Sequence, residues 1–276
     1  MAAERSEKQV TKEDTRPAVV GKKKFSWINA VQVITLIALL AYMQVVVDTG
    51  RISKVFIASP TMIVQEAVKI ITDGTLLPHL ILTLEEVLVG YALAVAVGII
   101  VALLWTLFPK LEAYMDVFCA AIMAVPKTAI LPLLILWFGI GFKSKVVLVF
   151  LFSVFQILYN TVTGAKQTNI KYLKVAKVFK ANRLQTVFQI MIPSALPSMF
   201  SGLRLAAATA LTGVIFSEMQ SAKGGLGYLL YEAQNLLNSA RMFFIVILVT
   251  VISVLFVQVI ALIEFAVCHK WQNKIH

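Results

Sequence analysis

Six apolar runs limit what this chain can fold into: Ile28–Val47, His79–Leu107, Leu111–Phe138, Val146–Thr163, Leu196–Ser217 and Met242–Val267. Each is close to or beyond the roughly 20 residues a helix needs to cross a hydrocarbon core about 30 Å thick. A run placed in lipid must satisfy its own backbone, which a helix does within one segment. The expected fold is therefore all-α, with six transmembrane helices.

Composition agrees. Of 276 residues, 59% are hydrophobic and 14% charged, and the mean hydropathy is +0.86; a soluble domain carries about a quarter charged residues. The net charge of +11 invites a nucleic-acid reading, but such proteins do not repeat long apolar runs. The cytoplasmic bias of Lys and Arg in membrane proteins explains the excess, with lipid rather than nucleic acid as the surroundings. With the N-terminus inside, sixteen Lys and Arg fall on cytoplasmic segments and seven on outer ones, while Lys127 and Arg204 lie within spans. Both termini and the basic loop at 166–195 are thus expected on the cytoplasmic face. Cys119 and Cys268 have no metal or redox spacing and read as unpaired thiols.

Residues 1–26 are polar and mixed in charge and read as a disordered tail, and 269–276 as a short cytoplasmic tail after the membrane domain, 27–268. No cleavage site follows the charged N-terminal region, so a cleavable signal peptide is not expected. Ser59-Pro60-Thr61 opens a helix in the first connection and Asp73-Gly74 closes it. Pro126 and Pro132 interrupt the third span, and Gly139-Ile140-Gly141 turns the chain after it.

Lys166–Pro197 is a basic island. Ile170, Leu173, Ala176 and Phe179 recur every three residues, as do Lys171, Lys174, Lys177 and Lys180. On an α-helix each such step falls back by about 60°, so the two rows wind as neighbouring ridges of an amphipathic helix. Asn182 breaks the pattern before Arg183, a short apolar segment follows, and Pro193 and Pro197 are expected to end it. A basic helix–turn–helix between spans is a docking device.

The island resembles the cytoplasmic loop of ABC importer permeases, whose signature is Glu-Ala-Ala, three residues, Gly, nine residues, then Ile-x-Leu-Pro. Here that spacing reads Lys174-Val175-Ala176, Lys180, Ile190, Ile192 and Pro193. Ala176, Ile190 and Pro193 match, whereas the Glu, the first Ala and the Gly are replaced. Two further stretches are similar to permeases of the nitrate, taurine and aliphatic-sulfonate class. One is Val125-Pro-Lys-Thr-Ala-Ile-Leu-Pro-Leu-Leu-Ile-Leu-Trp-Phe-Gly-Ile-Gly141. The other is Gly202-Leu-Arg-Leu-Ala206 followed by Ser217-Glu-Met219 and Gly224-Gly-Leu-Gly-Tyr228. His79 with Gly90-Tyr91 fits the second span of that class.

The resemblance implies a type I importer fold in a bacterial cytoplasmic membrane. It implies two cytoplasmic ATPase subunits carrying ATP and Mg, a second permease (a copy of this chain or a different one), and an external solute-binding protein, periplasmic or lipid-anchored. The ATPase-coupling residues it implies are Lys171, Lys174, Val175, Ala176, Phe179, Lys180, Ala181, Asn182, Arg183 and Pro193. The chain has no GxxxxGK[ST] pattern and is read as a transporter subunit binding no cofactor, with ATP hydrolysed by a partner. The expected solute is a small organic or inorganic anion such as a sulfonate, nitrate or carboxylate; a vitamin precursor as solute, or a secondary transporter or channel needing no ATPase, are the alternatives.

Pro126, Lys127, Thr128, Pro132, Arg204 and Glu218 are the candidates for the translocation pathway. Lys127 has two readings. It draws an anionic solute, or it caps carbonyls freed by the prolines or pairs with Asp116 or Glu218. Arg204 either pairs structurally or reaches the same cavity as Lys127, and Glu218 is either a gate residue or half of a helix-end ion pair. Glu85 and Glu86 are expected to be solvated or paired, Trp137 and Phe138 to anchor at the interface, and Lys223–Tyr228 to form a re-entrant or hinge segment.

Overall fold

The computed structural model describes residues 27–221 and 223–272. The N-terminal tail, for which disorder is expected, and the last four residues of the expected C-terminal tail lie outside the described residues. The described residues are helical throughout their ordered elements. Five helices are long and apolar enough to cross a membrane, or six if one bent pair counts as a single span.

The first span, α1 (Trp27–Asp48), leads to α2 (Pro60–Thr72), whose cap Ser59 accepts from the Met62 N–H at 3.4 Å. The second span is α3 (Leu76–Leu107). Where one interrupted span is expected at Leu111–Phe138, the chain instead forms α4 (Pro109–Ala124), a 3₁₀ turn (Lys127–Ile130) and α5 (Leu131–Phe138), bent by 83°. Pro126 causes the break: the residue before a proline is pushed out of the helical region, and Val125 is extended at ψ 129°. Pro132 interrupts nothing, because it stands in the first turn of α5, where its missing N–H is not needed.

Gly139 turns the chain at φ +79°, a conformation open to glycine. The next helix, α6 (Phe142–Lys166), starts four residues before the apolar run, so Lys143 and Lys145, counted above with an outer connection, belong to its first turn. The basic island folds as α7 (Ile170–Val178) and α8 (Arg183–Thr186), then a wide π turn (Val187–Met191), then α9 (Ile192–Ser221). Pro193 and Pro197 do not end the segment as expected, since α9 runs through both. Pro193 falls in the first turn of α9 directly after the π turn, which accommodates its missing donor. Last come α10 (Leu226–Asn235) and α11 (Ser239–Gln272), which extends past the expected end of the sixth span.

The core is a three-helix sandwich of α3, α6 and α9. Its closeness is written in small residues at four-residue spacing. Gly90, Ala94, Gly98 and Ala102 form one buried stripe on α3, and Gly202, Ala206 and Ala210 another on α9. A Cβ at Gly90 would stand 2.7 Å from Val149 Cβ, and one at Gly202 would stand 2.6 Å from Asn160 Cβ. Lipid offers no hydrophobic drive between helices, so association rests on such close backbone packing. Tyr91 adds a hydrogen bond to the Leu203 carbonyl at 3.0 Å. Outside this core, α11 packs on α9, and α2 and α10 close the end opposite the basic island. Both cysteine thiols are free.

Candidate functional site

The basic island is a preformed projection. Leu173 and buried Ala176 turn α7 toward the bundle, leaving Tyr172, Val175 and Phe179 exposed. The helix is capped at its start by Asn169, which accepts from the Lys171 N–H at 2.9 Å. It ends in a Schellman motif: the Ala181 N–H donates to the Ala176 carbonyl at 2.9 Å and the Lys180 N–H to the Lys177 carbonyl at 3.0 Å. Such an end requires a left-handed residue, and Lys180 adopts φ +52° where glycine is the usual choice. The turn implied by the family's glycine is therefore kept, with a lysine in its place.

Asn182 then starts α8 with a capping box, its side chain and that of Gln185 each accepting the other's backbone N–H at 2.8 and 2.9 Å. Lys171, Lys174, Lys180 and Arg183 are exposed, while Ala181 and Pro193 are half-buried. Lys166, at the base, pairs with Glu112 of α4 at 2.5 Å.

At the bend, Lys127 is half-buried, with its ammonium 5.5 Å from the Phe152 ring centre and 6.0 Å from that of Phe155. Neither carboxylate considered for it is its partner. Asp116 accepts from the Tyr159 hydroxyl at 2.8 Å, and Glu218 is engaged elsewhere. Thr128 and Pro132 line a cavity of about 390 Å³ with Leu131, Ile135, Phe216 and Gln220. Arg204 does not join Lys127. Its guanidinium pairs with Glu264 of α11 and donates to Ser201 at 3.1 Å.

Glu218 is buried at the far end of α9, and among the described residues its carboxyl group meets Thr83 and the Gly227 N–H rather than a cation. It organises a latch on the glycine-rich segment. Three consecutive N–H groups at the start of α10 are taken by side chains: Gly225 by His79 Nδ1 at 2.9 Å, Leu226 by Thr83 Oγ1 at 2.8 Å, and Gly227 by Glu218 Oε2 at 2.7 Å. The Thr83 hydroxyl donates to Glu218 Oε1 at 2.7 Å, and His79 stacks on Tyr228 with ring centres 5.7 Å apart. The first N–H groups of a helix have no partner within it, so these side chains supply the acceptors that hold this end of α10. Gly225 has φ +107°, and any Cβ there would collide with the Glu218 carboxyl.

Beside the latch, Lys145 of α6 pairs with Glu86 of α3 at 2.7 Å, both side chains buried. Glu85 is exposed. The sequence distinguishes the two glutamates: Glu86 continues the stripe Gly90, Ala94, Gly98, Ala102 at four-residue spacing, whereas Glu85 does not. For Thr83 and His79 as latch residues the sequence holds no comparable signal.

Residues 94–267 match the family described as binding-protein-dependent transport system inner membrane component. The riboflavin transport system permease protein of Chloroflexus aurantiacus is 30% identical over 82% of this chain and 85% of its own length. The taurine transport system permease protein of Escherichia coli is 28% identical over 74% of this chain and 76% of its own. In three dimensions the chain is similar to one from the inward facing MetNI methionine ABC transporter, with TM-score 0.60 and 20% identity, covering 70% of this chain and 95% of that one. The helical order, the broken third span and the family match converge: this is a multi-pass membrane protein with the type I importer fold, and it belongs to the inner membrane components of binding-protein-dependent ABC transport systems.

Proposed function

We propose that this chain translocates a small anion delivered by a separate binding protein, and that its α7–α8 projection receives the stroke of partner ATPase subunits carrying ATP and Mg. Two permeases, copies of this chain or a mixed pair, would frame the path, with both termini and the projection on the cytoplasmic side. The observation that carries this reading is the projection itself: a short helix capped at both ends, exposing apolar and cationic side chains, joined by the tight Phe179–Asn182 turn to α8, which runs through the π turn into the core span α9. A force applied to it is transmitted to a packed helix rather than lost in a loop. The taurine permease relative, whose named solute carries a sulfonate group, and the cation at the bend support a solute with an anionic group.

The test is co-expression with a partner ATPase subunit and purification of the complex, comparing wild type with Lys174→Glu/Lys180→Glu. Loss of ATPase retention and of transport is expected. Unchanged binding and transport would sink the coupling role, and uptake driven by an ion gradient without nucleotide would establish a secondary transporter instead.

A further inference from the structure

The projection is charged on one side only. At 100° per residue, α7 divides into three sectors. Leu173 and Ala176 face the bundle, Tyr172, Val175 and Phe179 form an exposed apolar strip, and Lys171, Lys174 and Lys177 share the remaining exposed sector with Ile170 and Val178. Phe179 is 80% exposed at the tip. No Asp or Glu occurs anywhere from Lys166 to Ser217, so the cationic strip has no carboxylate within its own loop.

A capped helix offering exposed aromatics beside a cluster of like charges is shaped for a preformed hollow with an oppositely charged flank. Building on the coupling role argued above, we propose that α7 docks on an ATPase surface whose apolar hollow takes Phe179 and Val175 and whose flank toward Lys171, Lys174 and Lys177 is lined by carboxylates. The lysine standing where the family has a glutamate then belongs to a matched pair of surfaces. An ATPase with a neutral or basic flank would be rejected by like charge.

The experiment measures retention of the ATPase by the intact, tagged permease complex as NaCl is raised. Wild type is expected to lose ATPase steeply with salt, because exposed charge pairs are screened beyond about 8–10 Å at physiological strength. Lys171→Gln/Lys174→Gln/Lys177→Gln should weaken retention about tenfold at low salt and flatten the salt dependence. Phe179→Ala should weaken retention at every salt concentration and leave the slope intact. Because all four side chains are exposed, folding is not at stake.

If the triple variant matches wild type in affinity and slope while Phe179→Ala releases the ATPase, docking stands and the acidic flank is overturned. If neither variant changes retention, the docking reading falls with it. If the triple variant keeps its ATPase but loses binding to vesicles rich in phosphatidylglycerol, the lysines face lipid and the inference is overturned.

Discussion

Lys145 on α6 and Glu86 on α3 meet at 2.7 Å with their side chains 3% and 0% exposed, joining two core helices beside the α10 latch. A buried pair stabilises little against a well-packed apolar substitute, but removing one partner strands a charge and costs about 3–5 kcal/mol. Lys145→Met is therefore expected to lower the thermal midpoint of the detergent-solubilised protein sharply. Adding Glu86→Gln should recover most of the loss. Equal midpoints for Lys145→Met and wild type would show that the pair does not carry this load.

The latch makes a sharp distinction between two neighbouring glycines. A Cβ at Gly227 would strike the Ile215 carbonyl oxygen and come within 2.7 Å of Glu218 Cβ, whereas one at Gly224 would meet side-chain atoms, Leu82 Cδ2 at 3.0 Å and the His79 ring from 3.6 Å. Backbone cannot yield as the end of a leucine can. Gly227→Ala should destabilise by about 1–3 kcal/mol, and Gly224→Ala by little, as read from thermal unfolding of the two variants side by side.

Lys180 at φ +52° occupies a conformation in which a Cβ is disfavoured. Lys180→Gly should stabilise the end of α7 by about 1 kcal/mol, slowing amide exchange at Lys180 and Ala181, whose N–H groups close the Schellman motif. Lys180→Ala, which keeps the Cβ, should not. Faster exchange in the glycine variant would mean that the lysine itself holds the turn.

Lys127 rests over two aromatic faces, without a carboxylate partner among the described residues. A cation over aromatic rings retains its charge for a passing anion at modest stabilising energy. Lys127→Met should lower anion transport several-fold, leaving assembly and basal ATPase activity nearly intact, and Lys127→Arg should be partly tolerated. Loss of assembly in Lys127→Met, with normal transport by the folded remainder, would make the lysine structural.

Local pattern in the sequence was enough for the apolar runs, the helix start at Ser59, the break at Asn182 and the family itself. Each depends on residues within a turn or two of one another, or on motifs in fixed order. The 83° bend at Pro126, the passage of α9 through Pro193 and Pro197, and the partners of Lys127, Arg204 and Glu218 were decided by tertiary structure. A proline only removes a donor and restricts its neighbour, and whether the chain then turns or continues depends on what packs around the gap. A polar or charged side chain within the bundle likewise takes whichever partner the helix packing brings within about 3 Å. For Arg204 that partner is Glu264, and for Glu218 the partners are Thr83 and Gly227, one of them 135 residues away along the chain.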